Sequence, residues 1–295
     1  MKAAMAVASA VCTIMIAGGA VVGFAQRPHP AAVPLNPHAV SVAGPLQPLH
    51  NSAANGHVVF TFDDGPDSYT PALLAELHKL RLRGVFFEFG WKVAAHPQIV
   101  REQLAAGDVI ENHTWDHPSF TGASPGTRPL TAARIRTELE STQQAIVAAG
   151  APKPTLYRPP FGDITPADNE IAARLGLRIV EPFSAKPNGN IVDSRDWMGI
   201  SATQIARDVE YGYWGRSNHR SMYFAGLSQG ARLIGFHDSG PQSCARPSKL
   251  CRDVINTIRA LPLIVAWMNL HHLGVTTDMP PDATGGAVPN IPVSR

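Results

Sequence analysis

Two adjacent carboxylates, Asp63 and Asp64, close an apolar run in the stretch FTFDDGPD. Neighbouring carboxylates repel, and that cost is offset by a cation or a shared proton. Partners for them recur along the chain. His113 and His117 in ENHTWDHP stand four residues apart. On one helical or tight turn, this spacing points both imidazoles at a single metal ion. With one carboxylate they make a three-ligand set that leaves positions open for water and substrate, as catalytic zinc sites do. Taken alone, HxxxH is a weak signal and is also met as two surface histidines; beside Asp63-Asp64 it gains weight.

These residues must be carried by regular elements. Eight short apolar runs, HVVFTF, GVFFEF, DVIEN, TLYR, LRIVE, NIVD, RLIGF and GVTT, alternate with helix-like segments between about residues 57 and 277. Such alternation argues for one α/β domain, either a barrel or an open doubly wound sheet. Gly84, Gly107, Gly150 and Gly176 follow helical segments, where a C-terminal cap is expected. Asp63-Asp64, His113, Arg158, Asp193 and His237 all fall at the carboxyl ends of runs. In parallel α/β folds those ends converge on one face, where active sites are built.

The bulk composition narrows the partners. The 25 basic and 23 acidic residues leave a net charge of +2, which gives no reason to expect nucleic acid or an acidic membrane. After Lys2 the chain runs uncharged from Ala3 to Ala25 and ends on a small-x-small triplet, Gly23-Phe24-Ala25. Residues 1–25 therefore read as an export signal, long enough to serve instead as an anchor, the only route to a membrane. A Pro/Ala-rich linker over 26–56 and a flexible tail over 278–295 flank a single domain at 57–277. Of the three cysteines, Cys244 and Cys251 lie close together in a polar loop and could close a small disulfide in an exported protein.

TFDDGP, HTWDH, RPPFGD, DSRDW and GFHDSG stand in the order and spacing of the polysaccharide deacetylases, the NodB-homology proteins of carbohydrate esterase family 4, and GVFFEFG also resembles a strand of that family. The resemblance covers about residues 57–275. It implies a distorted (β/α) barrel and metal-dependent hydrolysis of N-acetyl groups on amino-sugar polymers. Position by position, it makes Asp64, His113 and His117 the ligands of one divalent ion. Zinc suits that set, and cobalt, nickel or manganese are open. Asp63 becomes the general base that draws a proton from metal-bound water, with Arg158 holding it by a charge-assisted bond. His237 becomes the acid for the leaving amine, oriented by Asp196. Trp197 forms part of a wall around the acetyl methyl group, with Pro160 also in the substrate pocket. From the residues themselves, Tyr211 and Trp214 in YGYWGRSNHR offer rings for stacking on a sugar, or pack beneath a loop.

Two departures from the family pattern stand beside the site. Glu111 occupies a position where glycine is usual, and Gly235 one where leucine or isoleucine is usual. The first adds a charge near the metal ligands, and the second would widen or reshape the acyl pocket. The expected function is thus exported N-deacetylation of a chitin-like, peptidoglycan or exopolysaccharide chain. The alternatives are an O-acetyl xylan esterase and an inactive glycan-binding module.

Overall fold

The computed structural model describes residues 56–123, 127–180, 191–217, 220–239 and 253–279. The expected leader, nearly all of the linker and tail, and the Cys244–Cys251 pairing lie outside these residues. Each of the eight apolar runs forms a strand: β1 (His57–Asp63), β2 (Gly84–Glu88), β3 (Val109–Asn112), β4 (Leu156–Tyr157), β5 (Arg178–Ile179), β6 (Ile191–Asp193), β9 (Leu233–His237) and β10 (Gly274–Val275). They build one parallel sheet in the order β5-β4-β3-β2-β1-β9-β6, with β10 beside the start of β1. The sheet curls into a half-barrel, a distorted (β/α) barrel of one domain.

The helices are α1 (Thr70–Lys79), α2 (Gly90–Ala95), α3 (Pro97–Ala106), α4 (Ala132–Ala148), α5 (Pro166–Arg174), α6 (Ala202–Tyr211) and α7 (Asp253–Leu270). Thr131, Thr165 and Ser201 start α4, α5 and α6 by accepting a backbone N–H through their hydroxyls. Such caps are typically worth about 1 kcal/mol each. Among the described residues these helices follow the apolar spacing of the helix-like segments, with one exception. The exception is α2, six residues long, too short for the period to register.

Strand alternation sets which groups meet. Phe60 and Phe62 of β1 face the helices, where their rings stack with Phe86 and Phe236 in the main core. Val59 faces the other way, into a smaller apolar layer with Val85, Leu156, Ile191 and Leu233. Side chains two residues apart share a face. Further along the same face, four of these strands turn polar towards their carboxyl ends: Thr61 and Asp63 on β1, Asp193 on β6, His237 on β9, and Arg158 just past β4, while β2 stays apolar with Phe87. The apolar layer is the floor on which the polar one stands.

Two expectations are corrected here. Gly84 is not a helix cap: α1 ends at Lys79, Arg81 takes the left-handed turn (φ 57°), and Gly84 opens β2. Its need for glycine is steric, because a Cβ there would stand 2.7 Å from the ring of Phe62. Nor is the segment after α6 a loop: Tyr211 ends that helix, Gly212 breaks it, and Tyr213–Ser217 form β7, the first strand of a hairpin with β8 (Arg220–Phe224), antiparallel and outside the main sheet. Gly84→Ala should cost about 1–3 kcal/mol by overpacking a filled core. Urea unfolding reads it directly, and an unchanged midpoint would contradict the steric assignment.

Candidate active site

The two adjacent aspartates turn apart. Asp63 ends β1 with its side chain inward and nearly fully buried, and Arg158 Nη1 donates to its Oδ1 at 2.6 Å. Arg158 is itself buried. It also donates to Thr61 Oγ1 (2.9 Å), and its guanidinium lies over the Phe87 ring. Removing either partner of such a pair would strand a charge, at about 3–5 kcal/mol. Asp64 leaves the strand through a left-handed backbone (φ 80°), followed by a cis Gly65–Pro66 bond. The change of hand swings its carboxylate away from Arg158.

There it meets the histidines. Asp64 Oδ1 lies 3.3 Å from His113 Nε2 and 3.7 Å from His117 Nε2, and one ligand atom from each of the three falls within 4.8 Å of the others. His113 follows β3; His117 sits in a tight turn in which Thr114 (φ 70°) and His117 (φ 63°) are both left-handed. The turn, not a helix, brings the pair together. His113 Nδ1 is 2.7 Å from the Arg158 carbonyl oxygen, which can only accept, so Nδ1 carries the hydrogen and Nε2 offers its lone pair. Burial pushes His117 down to about 3 against the opposing pull of the Asp64 charge, so it is a neutral imidazole. Burial alone would raise the Asp64 carboxyl, yet protons on His113, His117 and His237 hold it well below the usual carboxylate range; with the first two neutral, a cation between them would take over that part. Its Oδ1 is buried without a hydrogen-bond donor. An ionised oxygen facing two nitrogen lone pairs is a donor set for a cation, and one carboxylate with two imidazoles suits zinc-type ions.

Across the site, His237 ends β9 with Nδ1 2.7 Å from Asp196 Oδ1, while its backbone N–H donates to Oδ2 of the same residue. Thr257 Oγ1 from α7 also donates to Oδ2, so the buried Asp196 is fixed on every side. Burial alone would lower the imidazole pKa, but the Asp196 charge and hydrogen bond, with Asp64 and Asp63, carry it up to about 10. His237 is therefore charged at neutral pH. Asp193, at the end of β6, accepts from the Arg195 backbone N–H and from Trp197 Nε1 at 3.3 Å. It thus caps the turn and steers the half-exposed Trp197 at once.

Other sequence-chosen residues fall elsewhere. Pro160 is buried and opens the tight turn that presents Phe161, which is 61% exposed with its ring 4.4 Å from that of His117. Trp214 is 72% exposed, but pairs edge-on with Tyr223 on one face of the hairpin. Tyr213, on the other face, stacks on Phe224, lies over Arg195 and reaches Asp193 with its hydroxyl. Tyr211 is tied to α7, accepting from Trp267 Nε1. Glu111 turns from the histidines and accepts the Thr155 and Leu156 backbone N–H groups at the start of β4. Burial lifts its carboxyl to about 7.

Three supporting residues escaped sequence reasoning. Phe89 stacks parallel to His113 (5.4 Å), and Glu138 of α4 accepts the Trp115 and Asp116 backbone N–H groups in the His117 turn. Phe161 is the third; its signal lay in RPPFGD itself, whose polar residues drew the attention. A cavity of about 240 Å³ lies instead where the chain enters β2 and β3, lined by Leu77, Arg81, Arg83 and Asp108. None of the groups above lines it.

A curled parallel sheet with an Asp-His-His cluster and two buried acid–base pairs at its carboxyl end defines a hydrolase-type site with a candidate metal centre. Residues 50–180 match the family described as polysaccharide deacetylase. The chain thus carries a segment that matches this family, and its fold is that of the NodB-type carbohydrate esterases of family 4 among solved structures. It is 40% identical over 156 residues to a bifunctional xylanase/xylan deacetylase of Cellvibrio japonicus, covering 52% of this chain and 21% of that one. It is 30% identical over 156 residues to the peptidoglycan-N-acetylglucosamine deacetylase PgdA of Listeria monocytogenes, covering 52% and 30%. The chain thus spans well under two thirds of these curated relatives. A solved family 4 carbohydrate esterase from Streptomyces lividans, in complex with acetate, superposes with a TM-score of 0.58 at 29% identity, covering 79% of this chain and 98% of that one.

The Asp196–His237 pair yields a pH prediction. A histidine raised from 6.5 to about 10 contributes stability that is complete below pH 6.5 and lost as pH rises through 10. In Asp196→Asn, His237 should titrate back near its ordinary value, and the alkaline fall in stability should move to lower pH. Imidazole NMR titration measures the first; an unchanged His237 titration would contradict the pairing.

Proposed function

We propose that this chain is an exported, metal-dependent deacetylase that removes N-acetyl groups from an amino-sugar glycan. One observation carries the choice of amide over ester: His237 is held charged by a buried carboxylate. An amine leaves only if it is protonated, whereas an alkoxide leaves more readily without help. A divalent ion held by Asp64, His113 and His117, with zinc the best match to the donors, would supply Lewis acidity and lower the pKa of water. Asp63, next in the chain to Asp64, accepts the proton of the attacking water while Arg158 fixes its orientation. His237 then gives a proton to the departing nitrogen, and Asp196 stabilises the charge it carries beforehand. Trp197 and Phe161, the exposed rings at the rim, offer flat apolar faces to the sugar, with Tyr213 supporting from behind Asp193. Export, expected from the uncharged run Ala3–Ala25, fits a substrate in the cell envelope.

A second reading, an O-acetyl esterase on xylan, is favoured by the 40% identity to the xylanase/xylan deacetylase. Acetate release from chitooligosaccharides, peptidoglycan and acetylxylan, with zinc, cobalt, nickel or manganese supplied in turn, separates the two. We expect turnover on the N-acetylated glycans, and a loss of about 10²–10⁴-fold in Asp63→Asn with the metal retained. Release from acetylxylan alone would favour the esterase, and full activity in Asp63→Asn would remove the general base.

A further inference from the structure

Among the described residues, one buried cation has no part in the chemistry above. Lys92, on α2, is 6% exposed, and no carboxylate among the described residues comes within ion-pair distance of its Nζ. Two acceptors take it up. Lys92 Nζ donates to the Asp64 carbonyl oxygen at 2.6 Å and to Ser239 Oγ at 2.7 Å, and Ser239 Oγ donates to the same carbonyl at 2.7 Å. Both lone pairs of the Asp64 carbonyl are thereby filled. Burying an ammonium is costly unless its hydrogens are well used, and here one reaches the Asp64 carbonyl directly and another reaches it through Ser239 Oγ.

That carbonyl belongs to the residue whose backbone hand decides the site. Asp64 sits at φ 80°, a region a non-glycine residue enters only when its surroundings hold it there. Other bonds hold the turn on its far side: the Asp64 N–H donates to the Phe87 carbonyl, and the Phe89 N–H to the Gly65 carbonyl. Asp238, next to Ser239, packs so closely on Gly65 that a Cβ there would overlap its carboxyl at 1.9 Å. The charge of Lys92 also acts on the buried carboxyls of Asp67, Glu88 and Asp238 around it. With its two hydrogen bonds, the ammonium ties the ends of β1 and β9 to α2.

We infer that Lys92 is a positioning residue for the metal centre, acting through the Asp64 carbonyl to hold the Asp64 carboxylate against His113 and His117. The inference rests on the reading of those three residues as the metal ligands. Lys92 touches neither substrate nor metal; it sets the geometry of a ligand by its backbone. Groups that orient metal ligands typically change affinity by about 10–100-fold when removed.

The test titrates the metal-free full chain with cobalt, following both affinity and the visible absorption of the bound ion, and records urea unfolding without metal. Lys92→Met should weaken cobalt binding about 10–100-fold and alter its absorption, with a smaller weakening in Ser239→Ala. Ser239→Ala loses hydrogen bonds but keeps the Lys92–Asp64 contact, so it should lower metal-free stability less than Lys92→Met and still fold, which keeps the test decisive if Lys92→Met does not. Wild-type affinity and an unchanged cobalt spectrum in a folded Lys92→Met protein, or in Ser239→Ala if only that variant folds, would overturn the inference. Lower metal-free stability in either folded variant counts against it only where cobalt affinity and absorption are unchanged, the mark of mere packing. A His113→Ala protein that binds cobalt like the wild type would instead remove the triad itself, and the inference with it, a pattern distinct from the other two.

Discussion

Two like charges adjacent in sequence must be given different counter-charges, and the rest of this site follows from that constraint. Asp63 stays in the strand and faces the Arg158 guanidinium at 2.6 Å. Asp64 takes a left-handed turn and faces two imidazoles. Neither could fill the other's role, because a carboxylate paired with arginine is a poor ligand for a cation, and one bound to a cation is a poor base. The cost of holding Asp64 at φ 80° is what keeps the two roles separate.

The same separation links the remaining parts. Arg158 serves both halves, its side chain holding Asp63 and its carbonyl fixing the tautomer of His113. Asp196 does for His237 what Arg158 does for Asp63, with the opposite sign. The groups lie on one side of the curled sheet because strand alternation places Asp63, Asp193 and His237 on one face above a layer of Val59, Ile191 and Leu233. Arg158, just past β4, comes from the strand whose Leu156 belongs to that layer. A single register slip in β1 would send Asp63 to the helix side.

Much of this was legible in the sequence, for physical reasons. Buried parallel strands read as continuous apolar runs, so all eight were found, and an ionisable residue at such an end stands out. HxxxH named the two imidazoles, although its spacing is met here by a turn with two left-handed residues. What failed depended on geometry that spacing does not carry. Gly84 followed a helical pattern but answers to the ring of Phe62, a contact between strands far apart in sequence. The β7–β8 hairpin hid because its glycines and aromatics fit no single period. Within it Trp214 drew more notice than Tyr213, yet alternation turns Tyr213 toward Asp193. Lys92 and Glu138 act on backbone groups, which leave no mark in a list of side chains.

Everything in this arrangement turns on Asp64, His113 and His117 meeting at one divalent ion. X-ray absorption at the zinc edge of the zinc-loaded full chain tests it most directly. The expected result is a shell of nitrogen and oxygen at about 2.0–2.2 Å, with the outer scattering of two imidazoles and no sulfur. A zinc shell without imidazole scattering, or one containing sulfur, would contradict it.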